Sequence, residues 1–307
     1  MQVIKEKTHY DFMGKRHLFV ALSILLNVMA FFLWFHSGDE KLGIDFRGGT
    51  ELVVHFNDPV TAGDVRTALS NAGFQEAIVQ SFGDSGQDFS LRLAEDQSKA
   101  EEKEKVRTVL SSIRPSGYNL LKEDYVGPII GAQILRDAIL AIVISLLAHQ
   151  IYIGIRFDWR FGMGAIFALF HDVFISVGIC LLAHKEMSGG ILAALLTITG
   201  YSVNDTIIVF DRVRENIAKV LKTNPKKRAQ DGLPTNLAEI MNISINETLS
   251  RTILTSLTAF FVVTTLWLFG GGAVADLAFA LMVGIVAGTY SSIFIACPIV
   301  LACHREK

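Results

Sequence analysis

The sequence predicts an α-helical membrane protein: a bundle of six membrane-spanning helices, with a small α+β domain between the first and second spans. Three observations support this class. Of the 307 residues, 51% are hydrophobic and only 19% are charged, and the mean hydropathy is +0.41, a balance that soluble domains of this size rarely show. Six runs are long and apolar. About one hundred mostly polar residues after the first run alternate between strand and helix patterns.

A helix needs roughly 20 mostly apolar residues to cross a hydrocarbon core about 30 Å thick. Runs near that length, each bounded by charges, glycines or prolines, predict the six spans. These spans cover residues 18–35, 138–155, 161–183, 189–210, 252–269 and 277–303. The first run follows a basic stretch, as a signal peptide would, but it is long and lacks a small-x-small cleavage site before residues 36–38. We therefore expect an uncleaved anchor.

The positions of lysine and arginine predict the orientation. Sixteen of the 28 lie in the N-terminus, the turn after the second run, the stretch 211–251 and the C-terminal tail. Because basic residues accumulate on the cytoplasmic side, we expect both termini there. The predicted domains are then residues 1–36 (N-terminus and first span), 37–133 (the domain outside the membrane), 134–303 (spans two to six, with a cytoplasmic loop at 211–251) and 304–307 (the tail).

The polar stretch 37–133 predicts a folded domain with the order β-α-β-β-α-β. Thr61 is a suitable N-cap for the first helix, and Gly73 follows its end. This order is the split βαβ pattern of ferredoxin-like domains. His55 and the acidic residues here are most simply solvated or strand-face positions, without a catalytic constellation. The expected elements are strand 51–56, helix 61–70, a hairpin of strands 77–82 and 88–93 around residues 83–86, helix 98–113 and strand 118–126.

Ionisable residues inside the predicted spans are the candidate functional residues, because a charge at mid-helix costs roughly 2.5 to 3.5 kcal/mol on insertion scales. Thr197, Tyr201 and Asp205 recur every four residues in the fourth span, with Asn204 beside them. Such a stripe suits a bundle interior or a water-filled cleft. We expect Asp205 to load and release a proton, with Arg251 of the next span as its cation. A static Asp–Arg pair that fixes helix packing is the alternative.

Two further polar pairs lie in the spans. His171 and Asp172 fall near the middle of the third span and could extend a proton path, although a hydrogen-bonded structural pair explains them equally well. His149 and Gln150 lie in the inner third of the second span, and His149 is most simply a packing residue. Gly284 and Gly288 have the small-xxx-small spacing that permits close helix contact.

Composition and motifs exclude several function classes. The net charge of −2 argues against nucleic-acid binding. Cys180, Cys297 and Cys303 lie in apolar runs, and the spacing of Cys and His does not fit a zinc site, so we expect neither disulfides, nor a metal, nor another cofactor. A zincin His-Glu-x-x-His, a Gly-x-Ser-x-Gly elbow and a phosphate-binding loop are all missing from the sequence, so we expect no enzyme.

Several ordered motifs together resemble the SecF family, the smaller subunits of bacterial SecDF protein-export complexes within the RND transporter superfamily. The resemblance covers nearly the whole chain, except that the cytoplasmic loop 223–234 is longer and His149 differs. Its most specific pieces are Gly43-Ile44-Asp45-Phe46-Arg47-Gly48-Gly49-Thr50, Val126-Gly127-Pro128, Arg156-Phe157-Asp158-Trp159-Arg160, Ala168-Leu169-Phe170-His171-Asp172-Val173, the stretch from Gly200 through Asp205 to Asn216, and Leu249-Ser250-Arg251-Thr252.

The resemblance implies an RND-type bundle in the bacterial inner membrane, with the ferredoxin-like domain in the periplasm. It implies SecD as a partner, the SecYEG translocon with its accessory membrane proteins, and unfolded preproteins as the substrate. The proton-motive force would drive late translocation and release. The family's intramembrane Asp and Arg fall on Asp205 and Arg251. The coupling ion is H⁺ or, alternatively, Na⁺.

On this basis we expect protonation of Asp205 to weaken its attraction to Arg251 and to let the fourth and fifth spans repack. Two alternatives use the same residues differently. One is a half-transporter of the same superfamily for a lipid or small amphiphile. The other is a membrane scaffold that transports nothing, in which Asp205 and Arg251 only hold helices together.

Overall fold

The computed structural model describes residues 8–38, 41–75, 77–82, 86–93, 100–227, 229 and 232–304. Long helices dominate, and one four-stranded sheet lies between the first and second of the long ones. In chain order the elements are α1 (Arg16–His36), α2 (Ile44–Arg47), β1 (Gly49–Phe56), α3 (Ala62–Asn71), β2 (Ile78–Phe82), β3 (Asp88–Leu93), α4 (Ala100–Ile113), β4 (Tyr118–Val126), α5 (Pro128–Arg156), α6 (Trp159–Leu182), α7 (Gly189–Thr223), α8 (Leu237–Phe269), α9 (Gly272–Ser291) and α10 (Cys297–Ala302).

Six helical segments of the described chain are long and apolar enough to cross a membrane, which confirms the six predicted spans. They are α1, α5, α6, α7, α8 and the continuous stretch Gly272–Ala302. The protein is therefore a multi-pass membrane protein. We call the end of the bundle that carries the sheet the sheet end, and the opposite end, where α7 is connected to α8, the loop end.

Two helices extend well past their apolar runs at the loop end. Helix α7 continues to Thr223 and α8 begins at Leu237, so most of the predicted loop 211–251 is helical. The two extensions are joined by polar contacts, in which Arg212 binds Glu247 at 2.7 Å and Asn216 donates to the Ser244 hydroxyl at 3.0 Å. Within the predicted loop 223–234, residues 228, 230 and 231 lie outside the described residues, as do residues 305–307 of the tail.

The last span is interrupted by a short π-helical segment, Ser292–Ala296, between α9 and α10. Pro298 lies two residues after it and has no backbone N–H to donate to the preceding turn, so the regular α-helical pattern cannot continue through this point. The Cys297 thiol donates instead to the Ser292 carbonyl at 3.5 Å. Ser291 and Ser292, at the start of this widened turn, are buried inside the bundle.

The sheet has the strand order β2-β3-β1-β4, and every neighbouring pair is antiparallel. One strand is thus inserted between the two strands of each β-α-β unit, which agrees with the ferredoxin-like prediction. Thr61 accepts a hydrogen bond from the Asp64 N–H at 3.1 Å and caps α3 as predicted. The hairpin residues 83–85 and the predicted helix start at 98 and 99 lie outside the described residues.

One face of the sheet and helices α3 and α4 form the core of this small domain. Alternate residues of β1 point into it, as the period of two in a half-buried strand requires. Strand β4 is different, because it lies at an edge and most of its residues are exposed. The core contains Leu52, Val54, Phe56, Val65, Leu69, Phe89, Leu91, Leu93, Val106 and Leu110.

Candidate functional site

Asp205 of α7 is enclosed by three helices and is only 1% exposed. Its Oδ2 accepts a hydrogen bond from Ser256 of α8 at 3.1 Å and lies 3.5 Å from the Thr289 hydroxyl of α9. Thr289 in turn donates to Ser256 at 2.6 Å. The other oxygen, Oδ1, is buried and has no hydrogen-bond partner among the described residues. The carboxyl group is therefore held on one side and can take up a proton on the other.

A second carboxylate, Asp172 of α6, is fully buried and surrounded by donors. Ser202 of α7 and Ser291 of α9 both donate to its Oδ2, at 2.5 and 2.8 Å. The neighbouring His171 Nδ1 lies 2.9 Å from Oδ1. Each oxygen is engaged, as a buried carboxylate requires. Asp172 thus joins three spans through hydrogen bonds, in contrast to the half-satisfied Asp205.

Both carboxylates lie along the contact between α7 and α9. Ser202 precedes Asp205 on α7 by one turn, and Ser291 follows Thr289 on α9. The two helices approach closely because glycines face them, as the small-xxx-small spacing predicts: a Cβ on Gly288 would lie 3.0 Å from the Ser202 Cβ, and one on Gly284 would collide with the Ile198 side chain. A shift of α7 along α9 would change the partners of both carboxylates together.

The predicted stripe on α7 does not keep to one face. Thr197 is exposed, Tyr201 is half-buried with a buried hydroxyl, and Asp205 is buried. Residues four apart are separated by about 400° around a helix, so each step turns the stripe by roughly 40°. Asn204 is exposed on the outside of α7 and is not in the Asp205 cluster.

The expected pair between Asp205 and Arg251 is wrong for this structure. Arg251 is exposed on α8, and its guanidinium forms no ion pair with a described residue. Ser256 is the α8 residue that faces Asp205. Five residues separate Arg251 from Ser256, which corresponds to a rotation of about 140° around the helix, so Arg251 points away from Asp205.

The other predicted polar residues have local partners. His149 Nδ1 lies 2.7 Å from the Ser145 carbonyl one turn earlier, which agrees with a packing role, and Gln150 lies against Gly162 of α6. His171 stacks on the Tyr290 ring with centroids 5.7 Å apart, and its Nε2 is buried without a partner in the described part of the chain. Among the described residues, His, Cys, Asp and Glu do not form a group that could hold a metal ion.

Sequence reasoning missed the hydroxyl residues that hold the carboxylates. The sequence patterns assign no role to Ser202, Ser256, Thr289 or Ser291. The sequence holds only a weak signal for them: small hydroxyl residues recur in the fourth, fifth and sixth spans, but helix packing decides which of them face a carboxylate.

The sheet end of α7 is hydrogen-bonded to the base of the small domain. The Asp45 carboxylate accepts from the Gly189 N–H at the start of α7, at 2.7 Å. Backbone bonds connect Met187 with Lys41 at 2.7 Å and with Gly43 at 2.8 Å. Gly48 and Gly49 have φ angles of +82° and +129°, which few other residues adopt, and they fold this segment tightly against Pro128 and Leu93. We call these contacts between the small domain and the start of α7 the joint. Gly43, Asp45, Gly48 and Gly49 of the joint belong to the motif Gly43–Thr50.

An ion pair adds to this joint. Arg92 of β3 binds Glu186, just before α7, at 2.6 Å and also contacts Glu51 of β1 at 3.3 Å. Burial raises the pKa of the Glu186 carboxyl above its usual range, and the Arg92 guanidinium opposes part of that rise. Glu51 is therefore a bridging residue and not only a solvated strand position. His55 does lie on the strand surface, where it binds Asp88 at 2.8 Å.

The chain matches known export proteins along its whole length. The family described as protein export membrane protein SecD/SecF, C-terminal, matches residues 105–306, and the SecD/SecF GG motif matches residues 41–60, which include the joint. A protein translocase subunit SecF from Thermodesulfovibrio yellowstonii is 40% identical over 305 residues, which cover 98% of this chain and 97% of the relative. A protein translocase subunit SecF from Rickettsia akari is 36% identical over 309 residues, which cover 100% of this chain and 96% of the relative.

Solved structures give the same result. The crystal structure of SecDF from Thermus thermophilus, a translocon-associated membrane protein, aligns with a TM-score of 0.84 and 35% identity over 98% of this chain. A SecDF structure in the super-membrane-facing form aligns with a TM-score of 0.69 and the same identity. This chain spans about two fifths (39%) of each of those longer chains.

Proposed function

The chain belongs to the SecF family of protein translocase subunits, and from that premise we propose that it uses the proton-motive force to drive late steps of preprotein translocation and release through the SecYEG channel. The proton is carried by Asp205. The protein is a transport component and not an enzyme. It lies in the bacterial inner membrane with both termini in the cytoplasm, so that the sheet end faces the periplasm.

The single observation that carries this proposal is the half-satisfied carboxyl of Asp205. A carboxylate in a span is costly unless it is paired, and the free Oδ1 is the atom at which a proton relieves that cost. Protonation removes the charge that orders Ser256 and Thr289, so the three helices that meet at Asp205 can repack. One elementary charge that crosses 100 mV releases about 2.3 kcal/mol, enough for a few protons to bias a two-state motion.

Helix α7 supplies a route from the carboxyl to the exported domain. Asp205 lies 16 residues from Gly189, or about 24 Å along the helix. A helix of this length moves largely as a rigid rod, and its sheet end is bonded to Asp45 and to the backbone of residues 41–43. A displacement of α7 at Asp205 is therefore passed to the base of the sheet. The sheet domain then changes its hold on an emerging preprotein.

Two exposed surfaces support SecD as the partner. On the bundle, Asn204 of α7 and Arg251 and Thr255 of α8 are exposed at positions within or near the spans, where lipid is a poor neighbour for polar groups. On the sheet, edge strand β4 exposes Leu121 (59%) and Tyr125 (57%), and exposed apolar edges are normally covered by another chain. We place Arg251 at the contact with SecD, from which it can still influence coupling.

The test is preprotein release into the lumen of inverted vesicles that contain SecD, measured with and without a proton gradient. We expect Asp205→Asn to abolish the gradient-dependent part of release, while assembly with SecD is retained. The matched control is Asp211→Asn, because Asp211 lies on the same helix but its side chain is 42% exposed and pairs with Arg156 at 3.1 Å. Gradient-dependent release that survives Asp205→Asn refutes the mechanism. Equal release with and without the gradient, in the wild type and in Asp205→Asn, would indicate that the protein is a scaffold that transports nothing.

The same vesicles identify the coupling ion. A proton gradient without sodium should support release, and a sodium gradient at zero proton-motive force should not. The reverse result would assign Na⁺ to Asp205.

A second candidate function, movement of a lipid or small amphiphile, is favoured by one observation. A cavity of about 440 Å³ lies between α1, α6, α8 and α9, and its lining is mainly apolar but also contains His171 and Tyr290. A gradient-driven flux of a labelled amphiphile in the same vesicles, without effect on preprotein release, would favour this function.

A further inference from the structure

A polar cavity of about 500 Å³ lies at the joint between the sheet and the bundle, away from the Asp205 cluster. Residues 78–80 of edge strand β2 form one side. The connection between α6 and α7, from His184 to Glu186, forms another side. Ser37, which follows α1, and Leu181 in the last turn of α6 also line the cavity, so it lies where two spans end.

The side chains that line this cavity carry an excess of positive charge. Lys41 donates to the Trp34 carbonyl at 2.7 Å, and Arg66 donates to the Val79 carbonyl at 3.4 Å. Neither cation forms an ion pair with a carboxylate in the described ranges. The remaining charges are already paired, Lys185 with Asp276 at 2.7 Å and Glu186 with Arg92. Two cations are thus available to an anion.

The depth of the cavity matches the headgroup layer of a bilayer. Trp34 lies in the last turn of α1, and the Lys41 ammonium lies over its ring, 4.4 Å from the centroid. Tryptophan at the end of a span is typical of the membrane–water interface. The phosphates of lipid headgroups occupy the same layer, and basic pockets at the ends of spans bind them.

We propose that this cavity binds the phosphate group of an anionic membrane lipid. Lys41 supplies a compact point charge, and Arg66 supplies a planar fork that matches two phosphate oxygens. Lys41 is part of the backbone joint with α7, where its carbonyl accepts from the Met187 N–H, and Arg66 belongs to helix α3 of the sheet domain. A bound headgroup therefore connects the small domain to the membrane surface. The proposal does not depend on proton coupling at Asp205.

The test measures lipid retention by the purified chain in nanodiscs. Native mass spectrometry compares phosphatidylglycerol with phosphatidylcholine, and inorganic phosphate is added in a separate arm. We expect one phosphatidylglycerol to be retained roughly 30-fold more strongly than phosphatidylcholine. Lys41→Gln with Arg66→Gln should abolish that preference. Displacement by millimolar inorganic phosphate would assign the site to free phosphate instead of a lipid.

The control variant is Lys105→Gln with Lys122→Gln, which removes two cations from the exposed surface of the same domain, where they pair with Glu102 and Asp124. It should keep the preference for phosphatidylglycerol. Thermal unfolding of each variant confirms that the chain is folded. Equal retention of the two lipids by the wild type, equal losses in both double variants, or binding of an acidic peptide in place of the lipid would overturn the proposal.

Discussion

Arg92 on strand β3 and Glu186 just before α7 form an ion pair at 2.6 Å, and their side chains are only 15% and 10% exposed. The pair joins two elements that are far apart in sequence: the sheet and the helix that carries Asp205. Because the same guanidinium also contacts Glu51 of β1, the pair fixes the orientation of the sheet above α7 and not merely its distance. The contribution of this ion pair to stability can therefore be measured by substitution of Arg92 and Glu186.

Removal of one partner should weaken the joint strongly. We expect Arg92→Met to lower the free energy of unfolding by about 3 kcal/mol, because it leaves the Glu186 charge largely buried without its cation. The double variant Arg92→Met with Glu186→Met should recover most of that loss, since both charges are then gone. Denaturant titration of the purified protein in detergent measures each value.

Arg114→Met is the matched control for that series. Arg114 contacts Asp64 at 3.6 Å with both side chains well exposed, so its loss should cost less than about 1 kcal/mol. A loss of similar size in the Arg92 and Arg114 variants would mean that the pair at the joint contributes no more than a surface contact.

Glu186 should also make stability depend on pH. Its pKa is raised by burial in the folded protein, so the unfolded state ionises first as the pH rises. The free energy of unfolding should therefore fall from the ordinary range of a glutamate up to the raised pKa and then stay level. Glu186→Gln should reduce this fall, whereas Glu102→Gln at the surface should not. The midpoint of thermal unfolding between pH 4 and 8 measures the difference, and an unchanged slope in Glu186→Gln would contradict it.

The close contact between α7 and α9 should tolerate little added volume. Gly288→Val places methyl groups against Ser202, which donates to Asp172 and lies one turn before Asp205 on α7. We expect a loss of about 1 to 3 kcal/mol and weaker gradient-driven release, because the helices must separate at the buried carboxylates. Gly154→Val is the control, because a Cβ there meets no atom within 4 Å. Equal behaviour of the two variants would show that the contact is not critical.

The fold was predictable where one local signal decides it. Apolar runs of span length predict the six helices, and Thr61 as an N-cap predicts the start of α3. The extensions of α7 and α8 were not predictable in this way, because they are polar and are held by contacts such as Arg212 with Glu247. The π-helical turn before Pro298 also depends on how the end of α9 packs.

The candidate site also contains residues that the sequence predicts and contacts that it does not predict. Asp205 and Asp172 were found because a carboxylate in an apolar run is conspicuous in sequence. The pairing of Asp205 with Arg251 failed, because the rotation of α8 relative to α7 is set by side-chain packing between the helices, which the sequence of either span does not reveal. Ser256 and Thr289 carry no comparable signal, since serine and threonine are common in spans, where they bond to their own helix as Thr289 does with the Ile285 carbonyl.

The exposed face of α7 gives the last prediction. The Asn204 amide is exposed although α7 crosses the membrane, and a polar side chain at that depth is expected to face protein in preference to lipid. After replacement of Cys180, Cys297 and Cys303, we expect Asn204→Cys to form cross-links to cysteines introduced in the spans of SecD. Thr206→Cys, two residues further along the same helix but 2% exposed, should not. Bismaleimide cross-linking in native membranes measures both. Free labelling of Asn204→Cys by a lipid-soluble maleimide in the presence of SecD, without cross-links, would show that this face meets lipid and that SecD binds elsewhere.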